Sequence, residues 1–220
     1  TISGTGAEVS MTAVLTGPVK KLGLKCDWTV FDQIVLDPDL IATVPRDQWF
    51  YTGMDTYIHS VEAITGTKKN TFAEAYSEKS LEMCREVFLK LDRSDVKSDE
   101  SLMVASYMGG LSLTYSEVGV CHALSYGLGK VLEIHHCIAN CIAFDKLEDV
   151  YGDYVQEFKG MVKHLNVTIP QGLAKDWSEE TISAMAEVAY NLPHMWDHAF
   201  GPDWQKVLDR ERIKGWYRRM

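Results

Sequence analysis

Nothing in this 220-residue chain approaches the ~18–20 consecutive apolar residues of a membrane-spanning helix. The opening residues also lack the charged-then-apolar pattern of a secretory leader. Cysteine is sparse and odd in number: Cys26, Cys84, Cys121, Cys137 and Cys141 follow no framework spacing. Free thiols in a reducing cytoplasm are therefore expected, not a disulfide scaffold. Positive charge is in the minority, with 22 Lys and Arg against 31 Asp and Glu. No Lys/Arg-rich run offsets the net charge of −9, and Arg218-Arg219 at the end is too short to count. These features argue against a nucleic-acid surface. There is no internal repeat and no low-complexity tract. What remains is a chain 46% hydrophobic and 24% charged, enough for one large domain or two small ones with a buried core.

Histidine is where the chain concentrates its chemistry. Residues 119–144, GVCHALSYGLGKVLEIHHCIANCIAF, hold His122, His135 and His136, three of the seven histidines. Upstream, residues 53–63, GMDTYIHSVEA, hold Asp55 and His59 at i and i+4. On a helix that spacing sets both side chains on one face, ~5–6 Å apart at Cβ. His122 and His136 are too far apart to share a helical turn. The spacing of Gly127 and Gly129 suggests that a first helix stops there and that His136 opens a second. Three imidazoles and one carboxylate suit iron(II), zinc, cobalt or nickel. Four protein ligands on a metal that accepts five or six leave room for substrate. Spacing alone leaves a plainer alternative open, in which these are ordinary helix-face polar groups. His194 and His198, also i and i+4, form a rival pair without an evident third ligand. Cys137 and Cys141 lie beside His136 as a thiolate alternative.

Read in order, the chain starts glycine-rich, TISGTGAE, where free backbone N–H groups at Gly4 and Gly6 suit a phosphate. Short β-rich runs follow, Ala13-Val14-Leu15, Thr29-Val30-Phe31 and Ile34-Val35-Leu36, with Gly17-Pro18 and Gly23 between them. They read as a small β-hairpin region that ends at Asp37-Pro38. From Pro45 the pattern is helical. A first helix runs to about Thr65 with Gly66 as its stop. Further helices are expected over 71–91, 99–111, 117–127 capped by Ser116, 139–151, 154–165, 178–191 and 203–217. Met103 and Met108 read as core fillers. The fold class is mainly α, a helical bundle over 41–220 with a glycine-rich loop and β-hairpin over 1–40.

The same residues carry a resemblance. Gly53-Met-Asp55-Thr-Tyr-Ile-His59, then Gly119-Val-Cys-His122, Leu128-Gly129 and His136-Cys-Ile-Ala-Asn140 resemble, in order, the "GxDxxxH" and "GxxHxxxxxLG…xxHGxAN" motifs of the iron-containing alcohol dehydrogenase family. Position by position, that family's metal ligands fall on Asp55, His59, His122 and His136. The resemblance implies the helical domain of the dehydroquinate-synthase-like fold. It implies Fe2+ as the metal, with Zn2+ or another divalent ion as substitute, and a small-molecule alcohol as substrate in a homodimer. The family's "TTxxGTGSE" segment contacts NAD(P). Here Thr1, Gly4, Thr5, Gly6 and Glu8 match it, and Ile2 departs from it. A dinucleotide-binding domain precedes this region in the family, so the chain reads as the C-terminal part of a longer protein.

In the family the metal acts as a Lewis acid on the alcohol, and hydride passes to a nicotinamide in most members. Many relatives have a second His four residues after the one matched by His122; this chain has Tyr126. His135 stands where relatives often have Pro. Tyr126 and His135 are therefore the candidates for moving the proton. These departures resemble the 3-deoxy-manno-octulosonate 8-oxidases, a subgroup that oxidises a lipopolysaccharide sugar acid at its C8 primary alcohol. That resemblance implies dioxygen as electron acceptor, against an NAD(P)-dependent dehydrogenase as the alternative. A non-catalytic metal-binding helical assembly domain is the alternative of another class. A metal-dependent lyase on the related fold is disfavoured by the 122–140 match.

Overall fold

The computed structural model describes residues 3–16 and 21–220. Strands β1 (Thr12–Thr16) and β2 (Lys21–Lys25) pair antiparallel, with Thr12 opposite Lys25 and Thr16 opposite Lys21. The runs Thr29-Val30-Phe31 and Ile34-Val35-Leu36 form no strand. Asp27–Thr29 is a single 3-10 turn. There the Thr29 hydroxyl donates to the carbonyls of Cys26 at 2.7 Å and Met11 at 2.6 Å. A side chain that satisfies local carbonyls in this way competes with a strand ladder. Asp37 caps a second short turn, Pro38–Ile41, by accepting from the backbone N–H of Asp39.

The bundle is built around α1 (Arg46–Thr65). Pro45 precedes its first turn, Asp47 lies in that turn, and the Gly66 N–H closes the end on the Glu62 carbonyl. Most helices bury one stripe. This one is buried continuously from Thr52 to Ala63, polar residues included. It therefore crosses the middle of the molecule. Around it lie α2 (Thr71–Leu89), capped by Asn70, and α3 (Val96–Tyr115), capped by Asp95. The α3 helix starts before the expected 99 because its cap is Asp95, which the apolar pattern does not mark, and it runs on past 111 to Tyr115.

The α4 helix covers Val120–Val131 and passes through both Gly127 and Gly129, so the expected stop there is overturned. Gly127 serves packing. A Cβ on it would stand 2.0 Å from the Tyr217 hydroxyl and 2.8 Å from the Met185 carbonyl. The α5 helix (His136–Phe144) and the one-turn α6 (Glu148–Tyr151) replace the single helix expected over 139–151. Then come α7 (Asp153–His164), α8 (Glu179–Tyr190), α9 (Pro193–Phe200) and α10 (Arg210–Tyr217). The expected 203–217 helix starts late because Asp209 caps it, accepting from the Arg212 N–H at 2.8 Å.

Two aromatic groups fill the core. Phe144 packs on Tyr57, Tyr151 and Phe158 with centroids 5.3–6.1 Å apart. Trp196 stacks on Trp216 and Phe200 and donates its indole N–H to the Ala189 carbonyl. Among the described residues no helix is long and apolar enough to cross a membrane.

Candidate metal centre

Three elements converge on one carboxylate. Asp55 and His59 project from one face of α1, where their i, i+4 spacing sets them a turn apart. His122 lies in the first turn of α4, and His136 is the first residue of α5. From Asp55 Oδ1 the Nε2 atoms of His122, His59 and His136 stand at 3.3, 3.4 and 3.7 Å. The His59 and His122 rings stack at 4.7 Å. Four ligands at 2.0–2.1 Å around a tetrahedral ion are separated by about 3.4 Å. The three separations from Asp55 Oδ1 thus match those of a metal site. Among the described residues, donor atoms of Asp55, His122 and His136 all lie within 4.8 Å of one another, whereas His59 stands outside that mutually close set and meets it through Asp55 Oδ1 at 3.4 Å.

Burial decides which side is open. Asp55, His122 and His59 are 0%, 3% and 5% exposed, whereas the His136 side chain is 38% exposed. The cluster is therefore open on the His136 side.

The polar accounting also fits a cation. Asp55 Oδ2, His59 Nδ1 and Asn140 Oδ1 are buried without a hydrogen-bond partner among the described residues. Each such atom carries a desolvation cost of about 1–3 kcal/mol. Of these, the Asp55 carboxylate oxygen is the deprotonated donor a divalent ion takes, while His59 Nδ1 is the ring nitrogen opposite the Nε2 that faces Asp55. Burial works against a charged Asp55, yet His59, His136 and His122 hold its carboxyl below the usual carboxylate range. Burial brings His59 down to about 4, against the pull of Asp55. His122 moves the other way: burial opposes its charge, but Glu62 and Asp55 push it up to about 10. Two buried carboxylates thus draw positive charge into this spot.

The remaining sequence candidates fall in different places. Tyr126 meets His136 edge-on at 6.2 Å, and burial, then the charges of Asp55 and Glu117, push its phenol up. His135 is exposed at the N-cap of α5. Cys137 and Cys141 are buried, which pushes both thiols up and away from a thiolate ligand role. His194 and His198 do not form a rival site. His194 is exposed. His198 is held on both ring nitrogens: Nε2 donates to the Glu62 carbonyl at 2.8 Å, and Nδ1 accepts from the Lys68 N–H at 3.3 Å.

The glycine-rich segment docks on the helices. Gly4, at φ +149°, donates its N–H to Ser106 Oγ, and its carbonyl accepts from Thr56 Oγ1, both at 2.8 Å. A Cβ on Gly4 would lie 1.8 Å from the Thr52 carbonyl oxygen. Gly6, at φ +60°, packs on Gly110 in the same way. Thr5 and Glu8 are half-buried. Burial pushes Glu8 up, against its own backbone hydrogen bond. Thr1 lies outside the described residues.

Two neighbours of the cluster stand outside the candidate site residues above, although the His136–Asn140 motif ends on one of them. Asn140, one turn along α5 from His136, donates to Asp55 Oδ1 at 2.6 Å. Its amide nitrogen also stands 3.2 and 3.3 Å from Nε2 of His122 and His136. Glu62 meets the far side of His122, with Oε2 at 2.5 Å from Nδ1. A signal for Glu62 existed: it follows Asp55 by seven and His59 by three, on the same helix face.

Comparisons with known proteins bear on the family. The profile of the Fe-containing alcohol dehydrogenase family, C-terminal, matches residues 49–195, about two-thirds of the chain. The chain is 26% identical over 195 residues to the NADPH-dependent butanol dehydrogenase of Clostridium saccharobutylicum, covering 86% of this chain and 48% of that protein. It is 31% identical over 146 residues to 1-propanol dehydrogenase PduQ of Citrobacter freundii, covering 64% and 40%. The chain thus spans about half the length of the curated relatives it matches. A solved variant of the archaeal halo-thermophilic Red Sea brine pool alcohol dehydrogenase ADH/D1 shares its fold, with a TM-score of 0.84 at 21% identity over 99% of this chain and 62% of that one. By the extent of the profile match and the shared helical fold, the chain belongs to the Fe-containing alcohol dehydrogenase family.

Proposed function

We propose that this chain is the metal-holding part of an alcohol oxidoreductase that interconverts a primary alcohol and its aldehyde. The observation that carries the reading is the buried Asp55 carboxylate ringed by three imidazole Nε2 atoms at 3.3–3.7 Å. Asp55, His59, His122 and His136 hold a divalent ion, iron or zinc among the candidates. Bound there, the ion supplies Lewis acidity that lowers the pKa of an alcohol hydroxyl. The half-exposed edge at His136 admits the substrate, and the buried faces of α1 and α4 keep water from the other side. The alcohol gives a hydride to an oxidised nicotinamide and its hydroxyl proton to solvent. NADPH dependence in the butanol dehydrogenase relative supports the nicotinamide. Gly4, Thr5, Gly6 and Glu8, with Thr1, are proposed for its contact.

Tyr126 keeps its proton at neutral pH, since burial pushes its phenol up. Its proposed role is to donate a hydrogen bond to the substrate oxygen, while exposed His135 exchanges the proton with solvent. The Tyr126→Phe variant is expected to retain metal while kcat falls about 100-fold, the effect of losing one positioned donor. An unchanged kcat removes Tyr126 from the reaction.

A second reading rests on the departures at Tyr126 and His135, which resemble the 3-deoxy-manno-octulosonate 8-oxidases. In it the substrate is the sugar acid, oxidised at C8, and dioxygen is the two-electron acceptor. The deciding experiment loads the protein with iron(II) or zinc and offers primary alcohols with NAD+ or NADP+, or the sugar acid in air. A rise at 340 nm supports the dehydrogenase, and oxygen consumption without it supports the oxidase. Metal uptake with neither leaves a metal-binding helical domain used for assembly.

A further inference from the structure

The far side of the metal centre holds a second buried carboxylate whose role the ligand set does not explain. Glu62 is 1% exposed and makes three close contacts. Its Oε1 accepts from the Cys121 backbone N–H at 2.7 Å and from the Tyr151 hydroxyl at 2.6 Å. Its Oε2 faces His122 Nδ1 at 2.5 Å. Tyr151 is fixed in turn by stacking on Phe144 at 5.3 Å, and its oxygen also accepts from the Val120 N–H at 3.1 Å. Gly119 leaves room for this approach, since a Cβ there would stand a tight 3.3 Å from both Glu62 Oε1 and the Tyr151 hydroxyl.

Two consequences follow from these contacts. A carboxylate is an acceptor only, so a neutral His122 must put its proton on Nδ1, facing Glu62. Nε2, which faces Asp55 and the Asn140 amide nitrogen at 3.2 Å, then carries the lone pair. The second consequence is charge. With neutral imidazoles, Asp55 and Glu62 together bring two negative charges into a buried cluster. A divalent cation neutralises both, where a single carboxylate would leave one positive charge uncompensated in a low-dielectric site.

We propose that Glu62, held by Tyr151, is a positioning residue of the metal centre: it fixes the His122 tautomer and supplies the second negative charge that matches a divalent ion. This rests on the four-residue metal reading above. Substitution by glutamine tests the mechanism sharply. The Gln carbonyl stays on Cys121 and Tyr151, whose donors need it, and its amide NH2 is turned toward His122 Nδ1. The imidazole then moves its proton to Nε2, where it blocks the ligand position.

The experiment is a visible-absorption titration with Co2+ on the wild-type chain, Glu62→Gln and Tyr151→Phe, with melting of each ion-free protein in parallel. Glu62→Gln is expected to weaken Co2+ binding about 100-fold and Tyr151→Phe about 10-fold, the range for residues behind a metal-bound histidine. The Co2+ band of any residual complex should shift. A merely structural role would lower the ion-free melting temperature while leaving the dissociation constant and the band in place, and that result overturns the inference. If Glu62→Gln fails to fold, Tyr151→Phe decides: binding within about twofold of wild type overturns it. A wild-type chain that takes up no Co2+ sinks the metal-centre reading and this inference with it, whereas wild-type uptake unaffected by either variant sinks this inference alone.

Discussion

Asp55→Ala is expected to weaken divalent-metal binding by about 10²–10³-fold, enough to strip the ion during dialysis. Four-ligand protein sites bind zinc with apparent free energies of about 10–16 kcal/mol, or roughly 2.5–4 kcal/mol per ligand. Each 1.4 kcal/mol is about tenfold in affinity. Asp55 stands in the upper part of that range for two reasons visible in the geometry. It is the anionic member of a set of otherwise neutral donors, and its Oδ1 is the atom from which all three imidazole nitrogens stand at 3.3–3.7 Å. The variant also removes the acceptor for the Asn140 amide at 2.6 Å. Metal per chain after dialysis, by elemental analysis, checks the prediction. The control is His194→Ala, an exposed imidazole outside the cluster, which should bind as the wild type does. An Asp55→Ala chain with full metal would show that the ion sits elsewhere.

The second large effect is on stability. Phe144→Ala should destabilise the chain by about 3–5 kcal/mol, the usual cost of emptying a large buried aromatic site. Phe144 is fully buried at the C-terminal end of α5, between Tyr57 of α1, Tyr151 of α6 and Phe158 of α7. Its loss breaks the packing that joins these elements, and edge-to-face aromatic pairs add to the area term. For a chain of this size that corresponds to a fall in Tm of about 6–20 °C. Because α5 also carries His136 and Asn140, metal affinity should fall with it. Thermal melting of the ion-free protein gives the test. Phe72→Ala, at a ring 62% exposed, should stay within about 0.5 kcal/mol. A Phe144→Ala loss no larger than that would mean that α5 is not anchored as described.

Much of the helical architecture is legible because its signals are local. The α1 helix appears where Pro45, Asp47 and Gly66 bracket an apolar pattern, and α8 appears where Ser178 caps it. Asp55 and His59 share a face by spacing alone. The errors also share a cause. Gly127 looks like part of a stop until Tyr217, 90 residues away, is seen to need the space. Thr29-Val30-Phe31 has the composition of a strand, yet the Thr29 hydroxyl takes the local carbonyls instead. The rival pair His194 and His198 matches Asp55 and His59 in spacing, and what separates them is that His198 spends both nitrogens tying α9 to the end of α1.

Sequence by itself determined the mainly helical fold, the faces of its helices and the donor types available, because each depends on residues within about one turn of one another. Only the tertiary structure decided that donors from α1, α4 and α5 meet within a few ångströms, that the opening lies at His136, and that Glu62 and Tyr151 stand behind His122. Those contacts span 60 to 89 residues. They arise from the mutual packing of whole helices, which no short-range periodicity encodes.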